Sequence, residues 1–155
     1  LKDEVWPLVH QASPELRLLL AGRQMPEDWA SDESLGIDIL GEVEDAQATY
    51  NSPCIVVVPL HAGSGMRIKL AEALASGRPV VTTTKGMEGM DLTPGKHVWV
   101  ADDAPAMGKA LVHLIQSPDT AIELGKAGRQ WALDHLDHRA RARILTDYLQ
   151  SWVDA

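Results

Sequence analysis

The 155 residues, 45% of them hydrophobic, are enough for one domain with a sizeable buried core. A formal net charge of −8 disfavours nucleic acid as a partner, because phosphate backbones attract broad basic surfaces. Cys54 is the only cysteine, which excludes an internal disulfide, and no apolar run approaches the roughly 20 residues that span a bilayer. We therefore expect residues 1–155 to form a single soluble domain.

Short apolar runs recur along the chain and predict buried strands. They cover residues 16–20, 37–40, 55–59, 79–83 and 98–100. Each run is rich in leucine or β-branched residues and alternates little with polar ones, a pattern typical of parallel strands covered on both faces. Residues 23–35, with several Asp, Ser and Pro, are the most loop-like part of the chain.

Helical patterns separate most of these strands. Residues 66–76 predict a helix that stops at Gly77, and residues 104–116 predict one that follows a cap by Asp102 or Asp103 and ends before Pro118. Two more helices, 121–135 and 139–152, follow without a strand between them. The order predicts an α/β fold, a Rossmann-like doubly wound parallel sheet with C-terminal helices. Its ligand is expected beyond the carboxyl ends of the strands.

The segment 61–81, HAGSGMRIKLAEALASGRPVV, joins a strand to a glycine-rich turn, a helix and another strand. Gly63 and Gly65 allow a ligand to approach the backbone, and a helix starting near Met66 directs free N–H groups toward that turn. Arg67 and Lys69 place positive charge at the positive end of the helix dipole, which is costly unless an anion binds nearby. A nucleoside diphosphate would supply that anion.

The charge distribution also indicates a local basic site. Residues 1–58 carry 3 Lys or Arg against 11 Asp or Glu, whereas residues 61–79 carry Arg67, Lys69 and Arg78 against Glu72 alone. A basic site on an acidic body suits a small phosphorylated ligand.

Segment 61–81 resembles the donor-binding half of glycosyltransferases with the two-domain GT-B architecture. The shared run is Gly-Ser-Gly-x-Arg-x-Lys-x-x-Glu-Ala-x-Ala-x-Gly-x-Pro-Val-Val. Further blocks fall in the order of that family, at residues 4–7, 14–22, 39–45, 56–59 and 84–89 and at the Asp102-Asp103 turn. Family members begin this domain with a strand before the Trp-bearing helix, so the resemblance implies that the first strand of the domain is missing here.

The resemblance implies transfer of a glycosyl group from a nucleoside diphosphate sugar to an acceptor glycan or lipid-linked glycan. That acceptor would be held by an absent N-terminal domain, so residues 1–155 alone are expected to be inactive. It also implies a role in polysaccharide biosynthesis, no cofactor and no required metal, and a cytoplasmic location, with peripheral membrane association of the full-length enzyme left open.

The resemblance assigns roles to individual residues of the site. Arg67 and Lys69 would be catalytic, stabilising the departing diphosphate, and Glu72 would accept hydrogen bonds from the ribose hydroxyls. Many relatives have Glu where this chain has Ser64, so contacts to the donor sugar are left open. The residues expected to bind the nucleotide sugar are Gly63, Ser64, Gly65, Met66, Glu72, Gly86 and Glu88.

Other interpretations of these residues remain open at this point. Ser64 is also a suitable N-cap, Glu72 could pair with Lys69, and the loop 84–89 could be a plain connection. Among the less specific candidates, Arg23 and His61 fall near the same edge, and the pair of histidines at 135 and 138 is more typical of a polar helix end than of a metal site. The whole chain could be a non-catalytic nucleotide-sugar-binding module, or part of an epimerase or a phosphorylase.

Overall fold

The computed structural model describes residues 1–63, 65, 67–137 and 146. In chain order, its elements are α1 (Trp6–Ala12), β1 (Leu18–Ala21), β2 (Ile37–Gly41), a 3-10 helix (Ala46–Tyr50), β3 (Val56–Val58), α2 (Ile68–Ala75), β4 (Val80–Thr82), β5 (Trp99–Val100), α3 (Ala104–Gln116) and α4 (Pro118–His135).

The predicted strands are confirmed, and each end lies within two residues of the end of its apolar run. The helix 104–116 is confirmed at both ends. α4 begins at Pro118, three residues before the predicted start, because the fixed φ of proline suits the first turn of a helix. The predicted helix 139–152, with its apolar face at residues 144, 145, 148, 149 and 152, lies outside the described residues.

The described strands form two separate parallel sheets. β1 pairs with β2, and β3, β4 and β5 pair in that order. No backbone ladder joins the two sheets in the described part of the chain, so a single six-stranded sheet is not present there. The missing first strand stays a prediction.

Two hydrophobic clusters cover opposite faces of the sheet made by β3, β4 and β5. Val57 and Val81 belong to the first cluster, which α1 and α3 cover, whereas Val56 and Val80 belong to the second, which α2 and the end of α4 cover. Successive strand residues point to opposite faces, so β3 and β4 supply both clusters. This is the predicted doubly wound arrangement. β1 and β2 pack on the first cluster only, and Leu19 and Leu40 are left half-exposed.

Glycines let α4 pack closely on the elements beneath it. A Cβ added at Gly125 would lie 2.4 Å from the carbonyl oxygen of Gly77, and one at Gly128 would lie 2.9 Å from that of His97. Near the end of the helix, the ring of Trp131 stacks on that of His135 at 4.7 Å between centroids. α4 is therefore fixed against the turn that leads into β4. Among the described residues, none of the helices is both long and apolar enough to cross a bilayer.

Candidate functional site at the carboxyl edge

The carboxyl ends of β3, β4 and β5 meet at one edge of their sheet, because the three strands are parallel and end in register at Val58, Thr82 and Val100. β3 leads into residues 59–67, β4 into the loop 83–89 and β5 into the turn 101–103. We call this region the carboxyl edge. It is where a ligand is expected in an open α/β sheet.

Two buried threonines hold the loops of the carboxyl edge together. The Thr82 hydroxyl donates to the carbonyl of Val58 at 3.0 Å, and the Thr83 hydroxyl donates to that of Leu60. The N–H of Gly86 in turn donates to Thr83 Oγ1 at 2.9 Å. A Cβ at Gly86 would lie 2.2 Å from Thr82 Oγ1, so the loop 83–89 can pack here only with glycine at this position. Gly86 therefore has a packing role, and its contact with a ligand stays a prediction.

The glycine-rich turn has the open backbone that the sequence indicated. Gly63 and Gly65 have φ angles of 119° and 107°, which favour glycine. Among the described residues, no atom lies within 4 Å of the position that a Cβ would take at either glycine, so the space above them is open. Ser64 and Met66 lie outside the described residues, and their assignments stay predictions.

Arg67 lies at the N-cap of α2, which begins at Ile68, two residues after the predicted start. Its side chain is only 9% exposed. Its Nη2 lies 3.5 Å from Glu88 Oε2 and 3.5 Å from the carbonyl oxygen of Gly63, both long contacts. Its Nε is buried and has no hydrogen-bond partner among the described residues. A buried guanidinium with so little compensation is costly, which makes it the strongest local signal of an anion site.

Glu88 connects Arg67 to the loop 83–89. Its Oε2 also accepts a hydrogen bond from the ammonium group of Lys85. This bond, the charge of Lys85 and the more distant charge of Arg67 lower the pKa of Glu88, against a smaller opposing effect of burial. Arg67, Lys85 and Glu88 thus form one charged cluster, in which two cations share one carboxylate.

The two aspartates of the turn 101–103 have different functions. Asp102 accepts hydrogen bonds from the backbone N–H of Thr84 at 2.6 Å and from its hydroxyl at 2.7 Å. These bonds lower the pKa of Asp102, and the charge of His61 adds to the effect. Asp103 caps α3 by accepting from the N–H of Ala106 at 2.7 Å. Asp102 therefore ties the loop 83–89 to the start of α3, and the cap that the sequence left between the two residues belongs to Asp103.

A depression of about 480 Å³ opens beside the charged cluster. Its lining combines charged, hydroxyl and thioether groups: Thr84, Lys85, Met87, Glu88, Gly89, Met90 and Asp102. A larger depression, of about 670 Å³, lies around Ile37 at the amino end of β2 and contains none of the residues that the sequence nominated. We place the candidate site at the smaller one, since it is lined by Glu88, which contacts the buried arginine, and by Lys85.

Arg78 does not belong to the basic site, contrary to the expectation from the charge distribution. It precedes β4, at the opposite end of that strand from the loop 83–89, and its guanidinium donates to the carbonyls of Tyr50 and Asn51 at 2.7 and 3.3 Å. The error arises because α2 runs the length of the sheet between Arg67 and Arg78, so nearness in sequence is not nearness in space. Arg78 holds the 3-10 helix in place.

Lys69 and Glu72 occupy the first two turns of α2. Lys69 is exposed, Glu72 is half-buried, and no ion pair is described between them, so the pairing left open by the sequence is not observed. Burial raises the pKa of Tyr50, and the negative charge of Glu72 adds to this effect. The catalytic role of Lys69 and the ribose contact of Glu72 stay predictions.

Three of the less specific candidates, Arg23, His61 and His135, lie in the described part of the chain. Arg23 pairs with Glu42 at 2.6 Å, with 82% of its side chain exposed, and His61 is exposed near Asp102. Nδ1 of His135 lies 2.9 Å from the carbonyl oxygen of Trp131, and His138 lies outside the described residues. Within the described ranges, no group of three or more His, Cys, Asp or Glu side chains is placed to hold a metal ion.

Comparison with known proteins places these features in a family. Residues 1–117 match the family described as glycosyl transferases group 1. The chain is 37% identical over 93 residues to a GDP-mannose-dependent alpha-(1-6)-phosphatidylinositol monomannoside mannosyltransferase of Mycolicibacterium smegmatis, covering 59% of this chain and 24% of that protein. It is 30% identical over 118 residues to a phosphatidyl-myo-inositol mannosyltransferase of Mycobacterium leprae, covering 72% and 32%.

A third relative is described as a 44.6 kDa protein in the cps region of Klebsiella pneumoniae, 24% identical over 120 residues that cover 72% of this chain and 31% of the relative. The chain thus spans about a quarter to a third of the length of these relatives. Among solved structures, a sucrose-phosphate synthase from Thermosynechococcus elongatus superposes with a TM-score of 0.68 at 19% identity, over 99% of this chain and 44% of that one. This similarity shows the shared fold. The chain belongs to the glycosyl transferases group 1 family and has the Rossmann-like architecture of the C-terminal domain of a GT-B glycosyltransferase.

Proposed function

We propose that this chain binds the diphosphate of a nucleoside diphosphate sugar at its carboxyl edge, and that the enzyme containing it transfers the glycosyl group to an acceptor. Membership of the glycosyl transferases group 1 family supports the reaction class. The description of the M. smegmatis relative as GDP-mannose-dependent supports a nucleoside diphosphate sugar as the donor.

The observation that carries the proposal is the buried and incompletely paired guanidinium of Arg67. Its side chain is 9% exposed, its Nε has no partner among the described residues, and its Nη2 makes only 3.5 Å contacts. A diphosphate oxygen at this position would complete the hydrogen bonding of the guanidinium and neutralise its charge. The open turn at Gly63 and Gly65 leaves room for such a group.

In the transfer step, negative charge develops on the departing diphosphate. Arg67, Lys69 and the N-terminal N–H groups of α2 would stabilise that charge, as preorganised donors do in other enzymes. The proposed site consists of side chains and backbone groups and includes no metal or cofactor. Ser64, Met66 and Glu88 would line the donor pocket, with Glu72 directed to the ribose.

The acceptor and the cellular setting also belong to the proposal. The phosphatidylinositol acceptors in the descriptions of the mycobacterial relatives support an acceptor glycan or lipid-linked glycan. The rest of the enzyme would hold this acceptor, since the chain spans only part of its relatives. We place the reaction in polysaccharide biosynthesis in the cytoplasm, on the strength of the family and of the cps-region relative.

Calorimetric titration of the chain with nucleoside diphosphates and with inorganic pyrophosphate tests the site. Arg67→Ala should weaken the binding of both by about 1.5–3 kcal/mol, the range for hydrogen bonds to charged groups. Lys126→Ala is the matched control, because Lys126 pairs with Glu123 on α4, away from the carboxyl edge. Unchanged binding in the Arg67 variant would show that the diphosphate does not bind here.

Glu72→Gln separates the ribose from the diphosphate. The variant keeps the shape of the side chain and loses its charge-assisted bonds, so nucleoside diphosphates should bind more weakly while pyrophosphate binding is nearly unchanged. Glu123→Gln removes the same charge elsewhere and serves as the control. Equal losses for nucleotide and pyrophosphate in the Glu72 variant would contradict the ribose assignment.

A further inference from the structure

We propose that Glu88 is a built-in counter-ion, which occupies the anion position of the site and competes with the donor diphosphate for Arg67 and Lys85. The proposal rests on the proposed function, because it takes Arg67 as the diphosphate-binding residue. It gives Glu88 a role opposite to that of a residue that attracts the donor.

The geometry supports this assignment at the level of single atoms. One carboxylate oxygen, Glu88 Oε2, accepts from the ammonium group of Lys85 and lies 3.5 Å from Nη2 of Arg67. A phosphate oxygen that bridged the same two cations would need the space that Glu88 Oε2 fills. Glu88 and an anionic ligand therefore exclude each other at this point.

The exposure of the three side chains shows which group can move. Arg67 is 9% exposed and is confined at the start of α2, whereas Glu88 is 59% exposed and Lys85 is 40% exposed. Glu88 is followed by Gly89, whose φ of 81° marks a turn in the exposed part of the loop 83–89. The carboxylate can therefore rotate into water at little cost while the guanidinium stays in place.

The charges indicate which ligands can displace Glu88. A single carboxylate at 3.5 Å from a guanidinium, with half of its surface in water, is a weak partner. A diphosphate brings more charge and several acceptor oxygens, so it can accept from Nη2 of Arg67 and from Lys85 at the same time. Glu88 thus sets a threshold that favours pyrophosphate and nucleoside diphosphates over singly charged anions.

Calorimetric titration of the chain with inorganic pyrophosphate tests the competition. Glu88→Gln keeps the size of the side chain and removes its charge, so we expect pyrophosphate to bind roughly threefold to tenfold more tightly than to the unchanged chain. Glu88→Asp, which retracts the carboxylate, should show a smaller gain, and it tests the same competition if the glutamine variant fails to fold. Glu123→Gln is the matched control, since Glu123 has the same i, i+3 pairing with a lysine, Lys126, on α4.

Equal or weaker pyrophosphate binding by the Glu88 variants, including an absence of binding by every chain, would overturn the counter-ion assignment. The combination with Arg67→Ala distinguishes the two proposals. If Arg67→Ala abolishes pyrophosphate binding while Glu88→Gln binds as the unchanged chain does, the diphosphate site stands and the counter-ion role fails. If the gain in Glu88→Gln persists undiminished in the Arg67→Ala background, the competition does not involve Arg67 and the proposal is also wrong.

Discussion

Replacing Gly86 with alanine should separate the loop 83–89 from the strand before it, because the added methyl group has no room. The new Cβ would lie 2.2 Å from Thr82 Oγ1, 3.2 Å from Thr83 Oγ1 and 3.3 Å from the Thr83 carbonyl oxygen. Ordinary contacts of a Cβ begin near 3.4 Å, so either the Thr82 hydroxyl or the loop must move by more than 1 Å. Rotation of the hydroxyl would break its bond to the Val58 carbonyl.

The cost follows from that broken bond. Breaking a hydrogen bond so that a buried polar group is left unpaired costs about 1–3 kcal/mol. The free energy of unfolding should therefore fall by about 1–3 kcal/mol, and the Tm by about 2–12 °C for a chain of this size. Urea and thermal unfolding measure both quantities.

A double-mutant cycle with Thr82→Ala isolates the mechanism. Without Oγ1 the methyl group has space, so Gly86→Ala should cost at least about 1 kcal/mol less in the Thr82→Ala background. Gly89→Ala is the control: its φ is 81°, and no described atom lies within 4 Å of the added Cβ, so its cost should be backbone strain that does not depend on Thr82. Equal costs of Gly86→Ala in the two backgrounds would refute the steric argument.

Three further predictions test other contacts. Asp103→Ala should destabilise the chain by about 1 kcal/mol through the loss of the cap of α3, measured by urea unfolding; no change would mean that the cap contributes nothing. Gly125→Ala should lower the free energy of unfolding by about 1–3 kcal/mol, because the added Cβ meets the backbone of Gly77. Gly108→Ala should lower it by less, because its Cβ meets only a leucine side chain. The reverse order would contradict the packing. Burial, with smaller electrostatic effects, lowers the pKa of His97 below its ordinary 6.5, so the unfolded chain takes up a proton first on acidification. Stability should therefore fall as the pH drops below about 6.5, and His97→Gln should reduce this slope in unfolding curves measured between pH 7.5 and 5; an unchanged slope would exclude His97 as its source.

The strands and α3 could be predicted because their signals are local. Each strand is a short β-branched or leucine-rich run, and α3 lies between Asp103 and Pro118, a cap and a residue that cannot continue a helix. The start of α2 could not be placed in this way, because Arg67 has non-helical angles (φ −84°, ψ 58°) that no residue of the turn dictates. The carboxyl edge itself followed from the strand order, since parallel strands bring their ends together.

Long-range contacts of single side chains were not accessible from the sequence. Nothing local indicates that Asp102 holds Thr84, that the hydroxyls of Thr82 and Thr83 reach across to the preceding strand, or that Arg67 is buried. The charge count also misassigned Arg78, because a helix of eight residues, about 12 Å long, carries the chain from one edge of the sheet to the other. These contacts depend on which segments lie side by side in the folded structure.

The division of the strands into two sheets has a consequence for how the chain opens. In the described part of the molecule, only side-chain packing connects β1 and β2 to β3, β4 and β5, and one face of the smaller sheet is only partly covered. Regions with fewer buried contacts open at lower free energy than the global transition. The amides of β1 and β2 should therefore exchange with deuterium earlier than those of β3 and β4, so that the carboxyl edge and its charged cluster persist while the smaller sheet opens and closes.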